Sequence, residues 1–577
     1  MEKLFPFITW FRTYKKSYIK PDLIAGITVG TVLIPQSMAY AMLAGLPPVY
    51  GLYAAAVTPI IGALWGKSGV LAVGPLALVS LLTATALAPF VQPESPEHIA
   101  LAIMLSLMVG VIFLVMGIFK LGFLFRFVSY PVIVGILSAI AIIIALSQTR
   151  HILGINVERT EFVYQMFAEI GRNIADTNPY TVGVALLSFA IIYGSAAIHK
   201  YFPGALVAAI LTTALAYFMD LRALGVRTVG DMPAGFPMPS LPAVDLEMAS
   251  YLLVSAFTIA IVGFVQVTAL TKFIAAKTGN KADLNQELVG HGAANLVGSF
   301  FQAHPVTSSA SRTAVNLQVG GKTGLSIILS GVLVILAILF LTPFVYYLPR
   351  ATLGAIVFAA AISMVQYNPF TKVYKASKLD GSIALATFAL ALILKPDYAI
   401  FIGIAISLIL FLKTSINPRL SVLTRNPQTE VFEDSETSNL PSCPQILYVR
   451  PDFAIYFANA GQIMDDVLEQ AMSRKNGLKY VLMDFENIST LDTTGIDELT
   501  ILVKDLEKAN IKLHFSNVNA RVKEVLSKSG LVKLLDQKCC LSSKGESIAI
   551  LFKGIDHQYC KDTCPHSVFR ECATVKS

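Results

Sequence analysis

Ser308, Ser309, Ser311 and Arg312 stand together in FQAHPVTSSASRT (residues 301–313), just after Pro305. Hydroxyl donors and a guanidinium at this spacing suit the holding of an anion. Arg312 lies one helical turn beyond Ser308, which brings a full charge to the hydroxyls. Other chemistries find no support. The chain has no H-E-x-x-H, no C-x-x-C pair and no nucleophile elbow, and a membrane-bound enzyme would need paired acid and base groups that this stretch lacks. NLQVGGKTG (316–324) resembles a phosphate-cradling loop, but Asn316 stands where that pattern requires glycine, and Lys322 reads as a loop lysine. HQYCKDTCPHSVFREC (557–572) offers His557, Cys560, Cys564, His566 and Cys572 to a metal at a spacing that fits no common zinc pattern. The other reading there is a frayed tail with reduced cysteines. No cofactor is expected, and nucleic acid is not an expected partner.

The anion-binding stretch is set in an apolar chain. Its 577 residues are 55% hydrophobic and 14% charged, against about 25% charged in a soluble domain, and mean hydropathy is +0.65. Runs approaching the roughly 20 apolar residues that span a bilayer recur from Leu23 to about Leu412. Examples are Ile99–Phe119, Val182–Ile198, Leu325–Leu341, and Ile383–Leu394 continuing past Lys395-Pro396-Asp397 into Tyr398–Leu412. The chain reads as a polytopic membrane protein with about fourteen hydrophobic segments.

Charge placement predicts orientation. The N-terminal segment (1–20) is basic, through Lys3, Arg12, Lys15, Lys16 and Lys20, and lacks the apolar core and cleavage site of a signal peptide. Such residues mark the cytoplasmic side. The connections that should then also be cytoplasmic carry Lys67, Lys120, Arg126, Lys200, Lys277, Lys281, Lys322, Lys372, Lys375 and Lys378. The first external connection, PFVQPESPEH (89–98), has only acids as fixed charges, although Arg150, Arg159, Arg172, Arg222 and Arg227 also fall outside. The alternation predicts an even number of spans and two cytoplasmic termini, in a plasma (inner) membrane. Composition divides the chain into a transmembrane region (21–415), a linker (416–429), a soluble domain (430–555) and a Cys-rich tail (556–577). In the soluble part apolar runs shrink to strand length, as in KYVLMDF (479–485) and SIAILF (547–552). DTTGIDELTILVKDLEKAN (492–510) reads as a loop entering an amphipathic helix with Ile496, Leu499, Leu502 and Leu506 on one face. Alternating strands and helices imply an α/β domain.

Two segments are interrupted. VLAVGPLALVSLL (70–82) breaks at Gly74-Pro75 and FQAHPVTSSASRT at Pro305. If two halves begin near Pro21 and near Met248, each break falls in the third hydrophobic segment of its half, the arrangement that marks a transporter site between inverted repeats. Proline suits a helix's first turn, so half-helices should start at Leu76 and Val306. Each would present unbonded N–H groups and a partial positive charge at mid-membrane, and the two together an anion site. Arg312 could instead snorkel at a membrane edge. An intramembrane charge beside a broken helix normally faces a cavity or a partner, and the site reading is preferred.

IPQSMAYAMLAGLPPVYGLYAA (34–55) resembles the first-helix signature of the SulP family of anion transporters, whose animal branch is solute carrier family 26. Residues 284–326, LNQELVGHGAANLVGSFFQAHPVTSSASRTAVNLQVGGKTGLS, are similar to its ninth and tenth helices, and KYVLMDFENISTLDTTGIDEL (479–499) to its STAS domain. The resemblance covers residues 10 to 555. It implies an α-helical polytopic fold of fourteen segments in a 7+7 inverted repeat with two broken half-helices, a core rocking against a gate, a C-terminal α/β STAS domain, and a homodimer. Its substrate site maps to Gln36 and Tyr40, to Leu76 and Ala77, and to Ser309, Ser311 and Arg312. One departure is Gln266 in AIVGFVQVTALTKF (260–273), aligned where many bacterial members have a glutamate linked to proton coupling; no acid occurs between Glu247 and Asp283. Exchange or uniport is expected rather than proton symport. Sulfate is the favoured anion, with bicarbonate, chloride or dicarboxylates, a channel-like conductor and a sensor as alternatives. In the tail domain the resemblance makes Thr494 a candidate phosphorylation site and a cytoplasmic protein a candidate partner, beside the plainer reading of an unmodified helix N-cap.

Overall fold

The computed structural model describes residues 6–123, 129–157, 162–198, 203–233, 235–279, 283–364, 367–394, 396–474, 477–534, 540–541 and 544–576. Lys3, Arg126, Arg159, Lys200, Lys281 and Lys395 lie outside them. Two compact units, 1–407 and 408–577, are present.

The first unit is helical, in two sets of seven segments. The first set is α1 (Ile19–Ala44), α2 (Pro48–Trp65), the strand β1 (Val73–Gly74) with α3 (Ala77–Leu87), α4 (Pro96–Ile118), α5 (Tyr130–Leu153), α6 (Pro179–Ile198) and α7 (Gly204–Phe218). The second is α8 (Leu246–Thr278), α9 (Leu284–Phe300), the strand β2 (Thr307–Ser308) with α10 (Ala310–Val319), α11 (Gly324–Phe340), α12 (Arg350–Met364), α13 (Lys378–Ile393) and α14 (Pro396–Ile416), which runs past the division of the units. Among the described residues six helices are long and apolar enough to cross a bilayer alone, while α10 and α11 form a pair bent by 115°. Each set has its strand-and-half-helix segment in third place. Each also has an amphipathic helix between its fifth and sixth segments, Val163–Asn173 and Tyr367–Ala376.

Packing sorts the helices into two groups. The core holds α1–α4 with α8–α11, through the contacts α4–α9, α1–α11, α2–α9 and α2–α11; α5–α7 pack with α12 and α13 as a gate. Lipid gives helices no hydrophobic reason to associate, so close backbone approach through small residues does the work. A Cβ on Gly110 of α4 would lie 2.6 Å from the backbone nitrogen of Leu296, and one on Gly292 of α9 2.7 Å from that of Leu114.

The second unit has a six-stranded sheet in the order β4-β3-β5-β6-β7-β8: β3 (Leu420–Arg425), β4 (Phe432–Asp434), β5 (Ile446–Pro451), β6 (Tyr480–Asp484), β7 (Lys512–Ser516) and β8 (Cys540–Leu541). From β5 to β8 the strands are parallel; β3 is antiparallel to β4 and β5. Helices α15 (Ala460–Met472), α16 (Thr493–Lys508) and α17 (Ala520–Lys528) connect strands. On α16, Leu499, Leu502 and Leu506 enter the core with Val481, Met483 and Phe515, and Ile496 packs at its edge.

Three expectations change here. The stretch 416–429 is not a free linker, because β3 pairs with β5 from Leu420↔Pro451 to Val422↔Val449. SIAILF is helical, within α18 (Lys544–Phe552): Ile548, Leu551 and Phe552 bury one face at spacings of three and four, which a short apolar run cannot announce. The tail is not frayed. Cys560, Val568, Phe569 and Cys572 pack with Cys443, Ile446 and Tyr448 of the sheet, and among the described residues no three His, Cys, Asp or Glu side chains are placed to hold a metal.

Candidate anion site at the paired helix breaks

The two breaks meet. β1 and β2 are antiparallel, Val73 opposite Ser308 and Gly74 opposite Thr307. Unpaired extended backbone inside a bilayer would leave polar groups unsatisfied, and here each strand supplies the other. The ladder also moves the second half-helix. α10 starts at Ala310 rather than Val306, because the Ser309 N–H donates to the carbonyl of Ala72 (2.9 Å) and Thr307-Ser308 stay extended. Pro305 therefore precedes the strand instead of opening the helix. In the first half the helix starts at Ala77, one residue later than expected, behind Leu76 as cap.

Side chains of α10 brace the first break. Thr313 Oγ1 accepts from the Ala72 N–H (3.0 Å), Asn316 Nδ2 donates to the Val70 carbonyl (3.0 Å), and Arg312 Nη2 donates to the Pro75 carbonyl (2.8 Å). At Gly74 φ is +153°, a conformation that side chains rarely adopt, and an added Cβ would crowd Arg312 Nη2 at 3.3 Å. From behind, α9 braces the second break. Asn295 bonds both polar groups of Val306, accepting from its N–H (2.9 Å) and donating to its carbonyl (3.0 Å). His291 Nε2 pairs with Ser308 Oγ at 2.5 Å.

Of the expected ligands, Arg312 is 1% exposed, which excludes a snorkelling arginine at a membrane edge. Its Nη1 reaches Gln36 Oε1 on α1 (3.4 Å), and among the described residues its Nε has no hydrogen-bond partner. Tyr40, one turn beyond Gln36, is buried and within electrostatic range of Arg312. Ser309 caps α10, accepting from the Arg312 N–H (3.4 Å), and its hydroxyl meets that of Ser311 (3.2 Å). Among the described residues no side chain caps α3, so the N–H groups after Leu76 keep their donor capacity beside buried Ala77. Gln266 lies one turn beyond Gly263 on α8, the carbonyl of which accepts from Thr307 Oγ1 (3.4 Å). Ser308, counted among the donors from the sequence, is committed to His291 instead. Thr313, Asn316, His291 and Asn295 were not picked out from the sequence; their signal was polar side chains at helical spacing in otherwise apolar segments.

In the second unit, Thr494 is the second residue of α16, partly exposed, and the cap is Asp492, which accepts from the Gly495 N–H (2.8 Å).

A core and a gate of inverted halves, with paired helix breaks in the core, define a membrane transporter fold. Residues 19–387 match the sulfate permease family and residues 438–544 the STAS domain, and the chain belongs to the sulfate permease family. It is 35% identical to sulfate transporter 4.1, chloroplastic, of Arabidopsis thaliana over 93% of this chain and 81% of that one. It is 31% identical to a probable sulfate transporter of Mycobacterium tuberculosis over 91% and 94%. Murine solute carrier 26 family member A9, an anion transporter solved in an inward-facing state, superposes with a TM-score of 0.87 at 24% identity, covering 96% of this chain and 94% of that one. The transmembrane domain of a cyanobacterial bicarbonate transporter gives 0.59 at 23% identity over 69% and 98%.

Proposed function

We propose that the protein is a secondary transporter of small anions, sulfate foremost, working by alternating access as an exchanger or uniporter. The observation that carries this reading is the joining of two helix breaks by Arg312. Donor-rich helix starts and a buried guanidinium converge where both halves of the core meet. An anion bound there takes hydrogen bonds from the free N–H groups of α3, from Ser309 and Ser311 and from Gln36, with Tyr40 and Leu76 on the wall and Arg312 as countercharge. Rocking of the core against the gate then exposes the site to either side. Gln266, a neutral amide, puts no carboxylate on α8 beside the site. The names of the relatives favour sulfate.

Charge placement supports a plasma-membrane location with both termini cytoplasmic, and family likeness supports a homodimer. Thr494 at the start of α16 is proposed as a phosphorylation site for a cytoplasmic partner of the STAS domain, since a helix N-terminus stabilises added negative charge.

The test is uptake of labelled sulfate and a panel of competing anions into proteoliposomes, with and without pH and sodium gradients. Saturable sulfate uptake that is trans-stimulated by internal sulfate is the expected result for exchange. Currents far above transporter turnover would establish a channel, and binding without flux a sensor.

A further inference from the structure

Two of the arginines that disturbed the charge pattern, Arg150 and Arg227, meet at one place. A cavity of about 400 Å³ opens at the far end of α1 from the N-terminus, lined by Arg150 at the end of α5, Arg227 in the connection after α7, Arg350 at the start of α12, and Glu94 in the turn between α3 and α4. Among the described residues its fixed charges are three guanidinium groups against one carboxylate. The arginines come from the gate side and Glu94 from the core. Glu94 Oε1 pairs with Arg350 Nη1 at 3.2 Å, with the two side chains 44% and 27% exposed. Arg227 Nη2 donates to Asn156 Oδ1 (3.2 Å), Arg350 Nε to the Thr228 carbonyl (3.2 Å), and Arg150 Nε faces His151 Nε2 at 3.3 Å. Arg150 is within electrostatic range of Glu94, Arg227 and Arg350. Glu94 is also held in a left-handed backbone conformation, φ +62°, by its N–H bond to the Gly45 carbonyl (2.8 Å). A non-glycine residue pays for such a conformation, and retained strain is a pointer to function.

We propose that this cavity is a second anion site, a vestibule for a tetrahedral dianion, and that Glu94 is a tethered carboxylate occupying part of it. Three like charges gathered on one wall repel one another unless an anion lies among them. Among the described residues one carboxylate leaves an excess of two positive charges, which a sulfate-like dianion neutralises in full and a monovalent anion does not. Because Glu94 belongs to the core and the arginines to the gate, separating core from gate on this side withdraws the carboxylate and frees the arginines for the incoming anion. The same contact latches this side shut while Glu94 is in place. The inference extends the transport reading to a cavity that none of the proposed ligands lines, and its test does not depend on transport.

Purified full-length protein is treated with phenylglyoxal, and modification of Arg150 and Arg227 is followed by peptide mass mapping in sodium sulfate or in sodium gluconate of equal ionic strength. Sulfate should slow modification at both positions. Glu94→Gln should lower the sulfate concentration giving half-protection. Arg150→Gln, read at Arg227, should raise it roughly three- to fivefold, the scale of a partly exposed ion pair. Equal modification in sulfate and gluconate would overturn the site, and an unchanged half-protection concentration in Glu94→Gln would overturn the role of Glu94. Protection in a protein that fails to transport sulfate would leave the vestibule standing and remove the transport reading.

Discussion

At the residue scale, Arg312 Nη2 ties the first break to the second through the Pro75 carbonyl, and the same side chain is the proposed countercharge for the anion. Arg312→Ala should therefore abolish anion binding, at a cost on the order of 2–5 kcal/mol for a lost charged partner, and should also loosen the break. Isothermal titration of purified protein with sulfate measures the first, and melting temperature in detergent the second. Unaltered sulfate affinity would refute the assignment of Arg312 as countercharge. Gln266 carries the second prediction at this scale. An amide holds no proton at physiological pH, so sulfate flux should depend weakly on an imposed pH gradient. Gln266→Glu should make uptake proton-dependent, because a carboxylate near the anion repels it until protonated. Flux at several internal and external pH values decides this. Strong acid-driven uptake by the unaltered protein would mean that the proton is carried elsewhere, with buried Glu287 and His304 the groups to examine.

At the scale of elements, the site depends on a two-residue ladder that could not stand alone. A pair of strands this short is stable only if neighbours supply the missing bonds, and α9 does so through Asn295. Asn295→Ala would strip the bonds from both polar groups of Val306, a buried residue. Leaving a buried donor and acceptor unsatisfied costs roughly 1–3 kcal/mol each. We expect a lower melting temperature and weaker sulfate binding although Asn295 is not among the proposed ligands. Normal binding by the variant would show that the ladder does not need α9. The helix pair α4–α9 is equally constrained. Gly110→Val would drive a side chain into the backbone of Leu296, which cannot move aside as a flexible side chain would. Thermal unfolding of this variant should begin well below that of the unaltered protein.

At the scale of the whole chain, the proposed ligands all lie in the first compact unit, so removing residues 417–577 should leave sulfate binding intact in protein that still folds. The cut belongs at 417 rather than 430, since β3 is part of the sheet. Complete loss of binding by a monodisperse truncated protein would place an essential group in the second unit. Within that unit the buried tail makes a chemical prediction. Burial pushes the Cys443 thiol up to about 11, and the thiolate is the reactive form, so at pH 8 only about one molecule in a thousand is poised to react. Folded protein treated with iodoacetamide at pH 8 should be alkylated at Cys564, which is less buried, well before Cys443. Denaturation in urea should remove the difference, as peptide mapping would show.

Hydropathy and charge in the linear sequence determine that the chain is a membrane protein in two like halves, because bilayer thickness and the cost of unsatisfied backbone leave few alternatives to a series of apolar helices. Gly74-Pro75, Pro305 and Arg312 marked the third segment of each half for the same reason: broken helices and charges are tolerated in a membrane only where something answers them. What no local pattern could supply was which group answers which. That Arg312 reaches Pro75, that Ser308 turns to His291 and away from the proposed ligands, and that Asn295 completes the strand at Val306 are contacts set when distant segments pack. The helical SIAILF segment and the tail seated on the sheet have the same origin. Short apolar runs carry no unambiguous period, and the surface they cover decides their conformation. Arg150 and Arg227 are likewise uninterpretable one at a time; with Arg350 they converge only once α5, α12 and the connection after α7 close around one cavity.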